Sequence, residues 1–132
     1  MKKITTLFLT LMVSLPLVAQ REYLPTPDDL EHFYRTKTYV VLHDNPLSDY
    51  NLEIQDAIKK YWDITDYEFI KFRDFGEKST DKNGSFLYTA TVSFEKDRSS
   101  TRYLFLCLSL GGDYNSLDEM KDITNLPLAY YG

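Results

Sequence analysis

Apolar side chains recur at three- and four-residue spacing between Leu47 and Tyr61, and charged side chains occupy most of the positions between them. This period is typical of an amphipathic helix with one buried face. Asn45-Pro46 lies just before the pattern and is suited to cap the helix, and Trp62-Asp63 lies where the pattern ends. The sequence therefore predicts one long helix at the centre of the chain.

A shorter helix is predicted after Thr26. Proline follows at the first helical position and two aspartates follow in the first turn, which is a favourable order for a helix start. The face of this helix that points to the core should carry Leu30, Phe33 and Tyr34.

Four other segments carry the patterns of β-strands. Two of them are largely apolar and flank the long helix, which predicts a parallel βαβ unit. The other two are joined by the polar stretch EKDRSST, which predicts an antiparallel hairpin. We therefore expect an α/β (α+β-like) fold, a small sandwich with a mixed sheet and helices on its faces. The four predicted strands are Thr38–His43, Tyr67–Phe72, Ser85–Phe94 and Arg102–Leu110.

The remaining segments carry weaker signals. Residues 73–85 are charged and contain Asn83-Gly84, which predicts a solvated loop with a turn. Ser116 and Glu119 match a capping box, which predicts a short helix beginning at Leu117. The apolar tail from Leu126 to Tyr131 either packs as a last strand or marks the place where a longer chain was cut.

Residues 1–20 have the features of a secretory signal peptide. Lys2 and Lys3 precede an apolar stretch that is short for a membrane span, and Ala19-Gln20 offers a cleavage point. Cleavage would leave one domain, residues 21–132, without a transmembrane segment. We expect an exported protein that is periplasmic, outer-membrane associated or extracellular, and the alternative is an uncleaved amino-terminal anchor.

The composition excludes several classes of function. Without the leader the chain has 13 basic and 20 acidic residues, a net charge of −7, which disfavours binding to nucleic acids and to anionic membranes. Cys107 is the single cysteine, so the fold forms without an internal disulfide, and its apolar neighbours predict a buried, inert thiol. No cofactor motif and no metal-ligand spacing is present.

The stretch LSLGGDYNSLDEM places Gly111-Gly112 between a strand and a predicted helix, as in many phosphate-binding loops. However, Asp113 and Asp118 occupy the end where an anion would bind, and no basic residue follows the glycines within this stretch. The spacing also matches neither common nucleotide-binding motif. We interpret the glycines as a turn.

His43 and Asp44 lie at the carboxyl end of the first predicted strand, where open α/β sheets bind ligands. They are the best candidates for acid–base chemistry. We expect the loop of residues 111–115 to lie beside them, which makes Asp113 a third candidate. A small hydrolase or ligand-binding enzyme at this position is one hypothesis. The alternative is a purely structural role, with His43 at a strand end and Asp44 near a helix cap. Adjacent residues of an extended chain point to opposite sides, so the two are poorly placed to act together.

Aromatic residues suggest a different function. Tyrosine and tryptophan at the surface of an exported protein often contact sugars or partner proteins, and packing in the core is their alternative fate. The leading hypothesis from the sequence is therefore a non-enzymatic envelope or secreted interaction module for a protein or a glycan. The candidate binding residues are Tyr61, Trp62, Tyr67, Tyr130 and Tyr131.

The segment KTYVVLHDNPLSDYNLEIQDAIKKYWDITDYEFIKF and the ending LPLAYYG resemble a group of exported proteins from Bacteroidetes-type bacteria. The resemblance covers most of the chain after the leader. It implies export, and it implies no activity, cofactor or site residue. It also implies a continuation beyond the tail, which would leave the last apolar segment without its partner strand.

Overall fold

The computed structural model of the protein describes residues 24–94 and 101–131. The predicted signal peptide and most of the polar turn between the hairpin strands lie outside these ranges. The elements, in chain order, are α1 (Pro27–Phe33), β1 (Lys37–Leu42), α2 (Asp49–Tyr61), β2 (Tyr67–Lys71), α3 (Phe72–Lys78), β3 (Gly84–Ser93), β4 (Arg102–Leu110), a 3-10 turn (Leu117–Glu119) and β5 (Lys121–Tyr131).

The strands form one mixed sheet in the order β2-β1-β3-β4-β5. β1 runs parallel to both β2 and β3, whereas β3 and β4 pair antiparallel, as do β4 and β5. The predicted mixed sheet, with its parallel βαβ unit and its antiparallel hairpin, is confirmed. None of the helices within the described ranges is long and apolar enough to cross a membrane.

Helices cover both faces of the sheet. Because side chains alternate along a strand, β1 places Val40 on one face and Val41 on the other. Val40 packs with residues of α1 and α2, among them Phe33 and Ile58. Val41 packs with Phe75 of α3 and with residues of the segment before β5. The core is thus two apolar layers separated by the sheet.

The cap predicted from the sequence is correct for α1 and wrong for α2. Thr26 caps α1 as predicted, in a capping box with Asp29. In α2 the cap is Ser48 rather than Asn45-Pro46, so the helix begins at Asp49 and Leu47 stays outside it with 80% exposure. The expected apolar face of α1 is also narrower than predicted, since Phe33 is buried while Leu30 and Tyr34 are exposed.

Asp29 also connects α1 to the last strand, because Lys121 Nζ donates to its carboxylate at 2.8 Å. Burial by itself would raise the pKa of Asp29. Hydrogen bonds from Lys121 and Thr26 outweigh this effect and hold the pKa of Asp29 at about 2, below its ordinary value of 3.8. The carboxylate is therefore stabilised in its charged form in the folded protein.

Two predictions for the connecting segments are wrong. The loop expected over residues 73–85 contains α3, whose Phe75 is 1% exposed and anchors one core layer. The helix expected from Leu117 is only a 3-10 turn of three residues. The Ser116 side chain makes no cap hydrogen bond there, and Glu119 instead accepts from the backbone N–H of Asn115.

The tail forms the edge strand β5, which begins at Lys121 and so is longer than the predicted segment. β1 pairs with β3 only as far as Val40, and the antiparallel strands continue beyond that point. We call this part of the sheet the three-strand extension: residues 90–93 of β3, 102–106 of β4 and 124–131 of β5. Its side chains are half-buried or exposed, whereas the other ends of β3 and β4 are buried.

Candidate functional site

His43 lies just after β1 and is held by contacts inside the fold. Its ring stacks on Tyr50 with 4.3 Å between ring centroids, and its Nε2 lies 2.9 Å from Thr89 Oγ1. Asn51 accepts from the His43 backbone N–H at 2.8 Å and donates to its carbonyl at 2.9 Å. The histidine is half-buried, and its ring and backbone are all engaged by neighbouring residues.

The other two catalytic candidates do not join His43 in one site. Asp44 is exposed beside it. Asp113 pairs with Lys82 at 2.6 Å and belongs to the loop after β4, whose Gly111 N–H donates to the Gly84 carbonyl at the start of β3. The start of β3 lies beside the start of β1, so this loop and His43 are at opposite ends of the sheet. The expected juxtaposition of His43 with the loop of residues 111–115 is therefore wrong.

The glycine pair forms a close turn. The N–H groups of Gly111 and Gly112 donate to the carbonyls of Gly84 and Ser79, so both amides are used within the protein. A Cβ atom at Gly111 would lie 2.1 Å from the Asp81 carbonyl oxygen. Only glycine permits this approach of two backbone segments, which agrees with the interpretation of a turn rather than a phosphate-binding loop.

Two of the candidate aromatic residues line an open cleft at the amino-terminal ends of β1 and β2. Trp62 and Tyr67 are half-buried there, and both pack against the core layer below α2. The Trp62 Nε1–H donates to Thr65 Oγ1 at 3.1 Å. The cleft has a volume of 870 Å³, and Tyr61 lies outside its lining with 71% exposure. Core packing thus accounts for much of the surface of Trp62 and Tyr67.

Tyr130 and Tyr131 lie at the opposite end of the sheet, on the three-strand extension. They pair with Tyr103 and Arg102 at the start of β4, and their exposed fractions are 75% and 51%. Four of the five aromatic candidates therefore belong to two separate surfaces, and Tyr61 lies outside both. Of these, the extension leaves its tyrosines more exposed than the cleft leaves Trp62 and Tyr67.

A trough runs along one face of the extension, beyond the end of α3. Its volume is 390 Å³, within the range of ligand-binding pockets. Side chains on one face of a strand are two residues apart, so the floor of the trough carries apolar side chains at every second position of β3 and β4. The apolar lining consists of Tyr88, Ala90, Val92, Phe94, Phe105 and Cys107, together with Leu117 from the 3-10 turn.

The trough is acidic at one end only. Asp118, Asp122 and Asn125 line it where Cys107 lies opposite Tyr88, and Val92 lies further along β3, away from them. The Ser109 hydroxyl, itself buried, donates to Asp122 at 2.8 Å, which fixes this carboxylate at the trough wall.

The titrating groups on the floor respond to burial and to this charge. Burial raises the pKa of Tyr88 to about 12, and the nearby carboxylates of Asp122 and Asp118 act in the same direction. Burial and Asp122 likewise raise the pKa of the Cys107 thiol to about 11. Cys107 is 7% exposed and therefore stays a neutral, unreactive part of the floor, as the sequence predicted.

Comparisons of the chain with protein-family models, with curated proteins and with solved structures give no match. Within residues 24–94 and 101–131, no group of three or more histidine, cysteine, aspartate or glutamate side chains is placed to hold a metal ion. The trough and the exposed extension are thus the features from which a function must be argued. Sequence reasoning did not identify the trough, although the alternation from Phe86 to Phe94 was its signal.

Proposed function

We propose that the protein is an exported, non-enzymatic interaction module that binds another protein through the three-strand extension. The observation that carries this proposal is the distribution of exposed apolar side chains. Of the fourteen large hydrophobic residues that are exposed in the described ranges, six lie on the extension or directly after β3: Val92, Phe94, Leu126, Leu128, Tyr130 and Tyr131.

In soluble proteins, a concentration of exposed apolar surface of this kind marks a binding site. Residues 124–131 include no charged side chain and all are exposed, although the chain as a whole has a net charge of −5. Depletion of charge together with exposed tyrosines is the composition of an interface core. The extension therefore has the chemistry of a protein-binding surface.

The faces of the extension are better suited to binding than its open edge. Pro127 lies in the middle of β5 and cannot donate a backbone hydrogen bond. The pairing of β5 with β4 shifts register between Leu104 and Phe105 and again between Leu108 and Ser109. Proline and register irregularities are the means by which edge strands resist the addition of another strand. We therefore infer that the partner contacts side chains on the sheet faces.

The contacts around His43 support a structural role for that residue rather than an acid–base role. Its ring is stacked on Tyr50 and its Nε2 meets a threonine hydroxyl rather than an open site. Asp113 lies at the other end of the sheet in an ion pair with Lys82. These contacts supply no pair of groups that could exchange protons with a bound substrate.

The proposal is tested with the full chain, expressed with its own leader, as bait in an extract of membranes and periplasm from the source organism. The test variant is the double substitution Tyr130→Ala and Tyr131→Ala. The matched control is Tyr61→Ala, which removes an equally exposed tyrosine at the other end of the sheet. We expect one protein at near-equimolar yield with the wild type and the control, and at least a tenfold lower yield with the double variant.

Capture alone is not sufficient, so the recovered protein must also bind the chain directly after both are purified. Equal binding by the wild type and the double variant would contradict the proposal, as would loss of binding by the Tyr61→Ala control. Turnover of a substrate that disappears in a His43→Ala variant with an intact fold would instead favour an enzyme.

A further inference from the structure

We propose that the trough is the part of the extension that anchors the partner, and that it accepts an extended polypeptide segment in which a basic side chain precedes or follows a run of alternating apolar side chains. This inference rests on the proposed function, because it names the chemistry of the segment that the same surface would bind.

The dimensions of the trough fit an extended segment. Its floor follows β3 from Tyr88 to Phe94, a distance of about 20 Å at 3.3 Å per residue. A segment of about seven residues has this length in an extended conformation. Its side chains alternate, so every second residue would face the floor with the same spacing as the floor residues.

The apolar part of the floor sets the first requirement on the partner. Ala90 is the smallest side chain of the lining and lies opposite Phe105 on the neighbouring strand. Val92 follows on β3 and Phe94 directly after it, and both remain exposed. Small β-branched or aliphatic side chains of a partner would bury this surface, which is the dominant favourable contribution to association.

Charge sets the second requirement. Asp118 and Asp122 lie together at one end of the trough, and within the described ranges neither forms an ion pair with lysine or arginine. Asp122 is held by Ser109 and by Asn125, whose Nδ2 donates to its other oxygen at 3.1 Å. The held carboxylate of Asp122 and the exposed carboxylate of Asp118, beside an apolar floor, favour a cation there and disfavour an acidic group.

The test uses three synthetic heptapeptides with blocked ends: KTVTVTV, and the same sequence with glutamate or glutamine in place of lysine. In an extended peptide the first residue and the three valines point to one side. Binding to the full-length chain is measured by amide chemical shifts in NMR spectra at low ionic strength, where charges act over about 30 Å. We expect the lysine peptide to bind about tenfold more tightly than the glutamate peptide, with the glutamine peptide between them.

Substitutions locate the binding site. Ala90→Phe fills the trough and should abolish the binding of all three peptides, whereas Thr91→Phe adds the same ring on the opposite face of β3 and should leave it unchanged. Asp118→Asn should lower the affinity for the lysine peptide about two- to fivefold. Asp56→Asn removes one charge from the exposed surface of α2 and should leave the affinity unaltered.

The outcomes separate this inference from the proposed function. Equal affinity for the three peptides, or peptide binding that Ala90→Phe does not block, overturns the trough proposal while the extension can still bind its protein partner through Tyr130 and Tyr131. A purified partner whose binding is unaffected by Ala90→Phe also overturns it. If no peptide binds and no direct partner is recovered, both proposals fall.

Discussion

Asn51 connects the long helix to the end of the first strand, and its replacement tests how the region around His43 is held. The residue lies in α2 and is 2% exposed. Its side chain makes three hydrogen bonds to the backbone: it accepts from the N–H of His43 and donates to the carbonyls of His43 and Asn45. All three distances lie between 2.8 and 2.9 Å. We expect Asn51→Ala to loosen this segment.

The magnitude follows from these contacts. A typical hydrogen bond contributes about 1 kcal/mol net, so the loss of three costs about 3 kcal/mol. Alanine has a higher helix propensity than asparagine, which returns at most about 0.7 kcal/mol. The expected decrease in the free energy of unfolding is therefore about 2.5 kcal/mol. Asn51→Asp keeps the acceptor but turns a second carboxylate oxygen toward two carbonyls, so we expect it to be more destabilising at pH 7 than alanine.

Urea unfolding followed by circular dichroism measures the effect. With a denaturant slope of about 1.5 kcal/mol per molar, the midpoint for Asn51→Ala should fall by roughly 1.7 M. Asn125→Ala is the matched control, since this asparagine is exposed and its side chain bonds only to Asp122 within the described residues. We expect the control to change stability by less than about 0.5 kcal/mol. A decrease for Asn51→Ala that does not exceed the control would refute the reasoning.

Four further substitutions test other contacts. Gly111→Ala, whose new methyl group would meet the Asp81 carbonyl, should cost at least about 2 kcal/mol by urea unfolding, whereas Gly76→Ala, which meets no atom within 4 Å, should stabilise the protein by about 0.5 kcal/mol. The pKa of Asp29 is about 2 in the folded protein and near 3.8 when unfolded, so its contribution is present above pH 4 and is lost as the pH falls toward 2. The stability difference between wild type and Asp29→Asn should accordingly shrink over that interval, and a constant difference would contradict it. Ser85→Ala removes a buried hydroxyl that lies 2.8 Å from two threonine hydroxyls and should cost about 1–2 kcal/mol by the same assay; no loss would show that the network is dispensable.

The sequence was most informative where a hydrophobic pattern was long. The period of α2 and the alternation of β3 both extend over ten residues or more, so tertiary contacts could not obscure them. α3 was missed because it is only seven residues long, and within it only Phe72 and Phe75 are large and apolar. Two apolar positions do not establish a period. The residues of α3 become helical because Phe75 packs into the core.

The helix expected at Leu117 failed for a different reason. Its capping signal was real as a sequence pattern, but the chain from Lys121 onward pairs with β4, beginning opposite Leu110. A strand that starts at Lys121 leaves room for a single 3-10 turn after Ser116. Long-range pairing of the sheet therefore overrode a local helix signal. The same pairing extends the tail from the six residues that were expected to an edge strand of eleven.

The trough could not be predicted because it depends on a comparison of lengths between elements that meet only in the folded protein. α3 has seven residues and is about 10 Å long, since a helix rises 1.5 Å per residue. β3 has ten residues and is about 33 Å long. Even a helix of this length aligned with β3 could cover less than half of the strand, and about 20 Å would remain. α3 meets β3 through Phe75, whose ring contacts Phe86 and Tyr88 near the buried end of the strand. This remainder matches the length of the trough floor. The side chains of the floor continue the apolar alternation of a buried strand face, although no helix of the described chain lies over them. An apolar strand face that extends well past the helix above it is thus a physical reason to look for a partner that completes the cover.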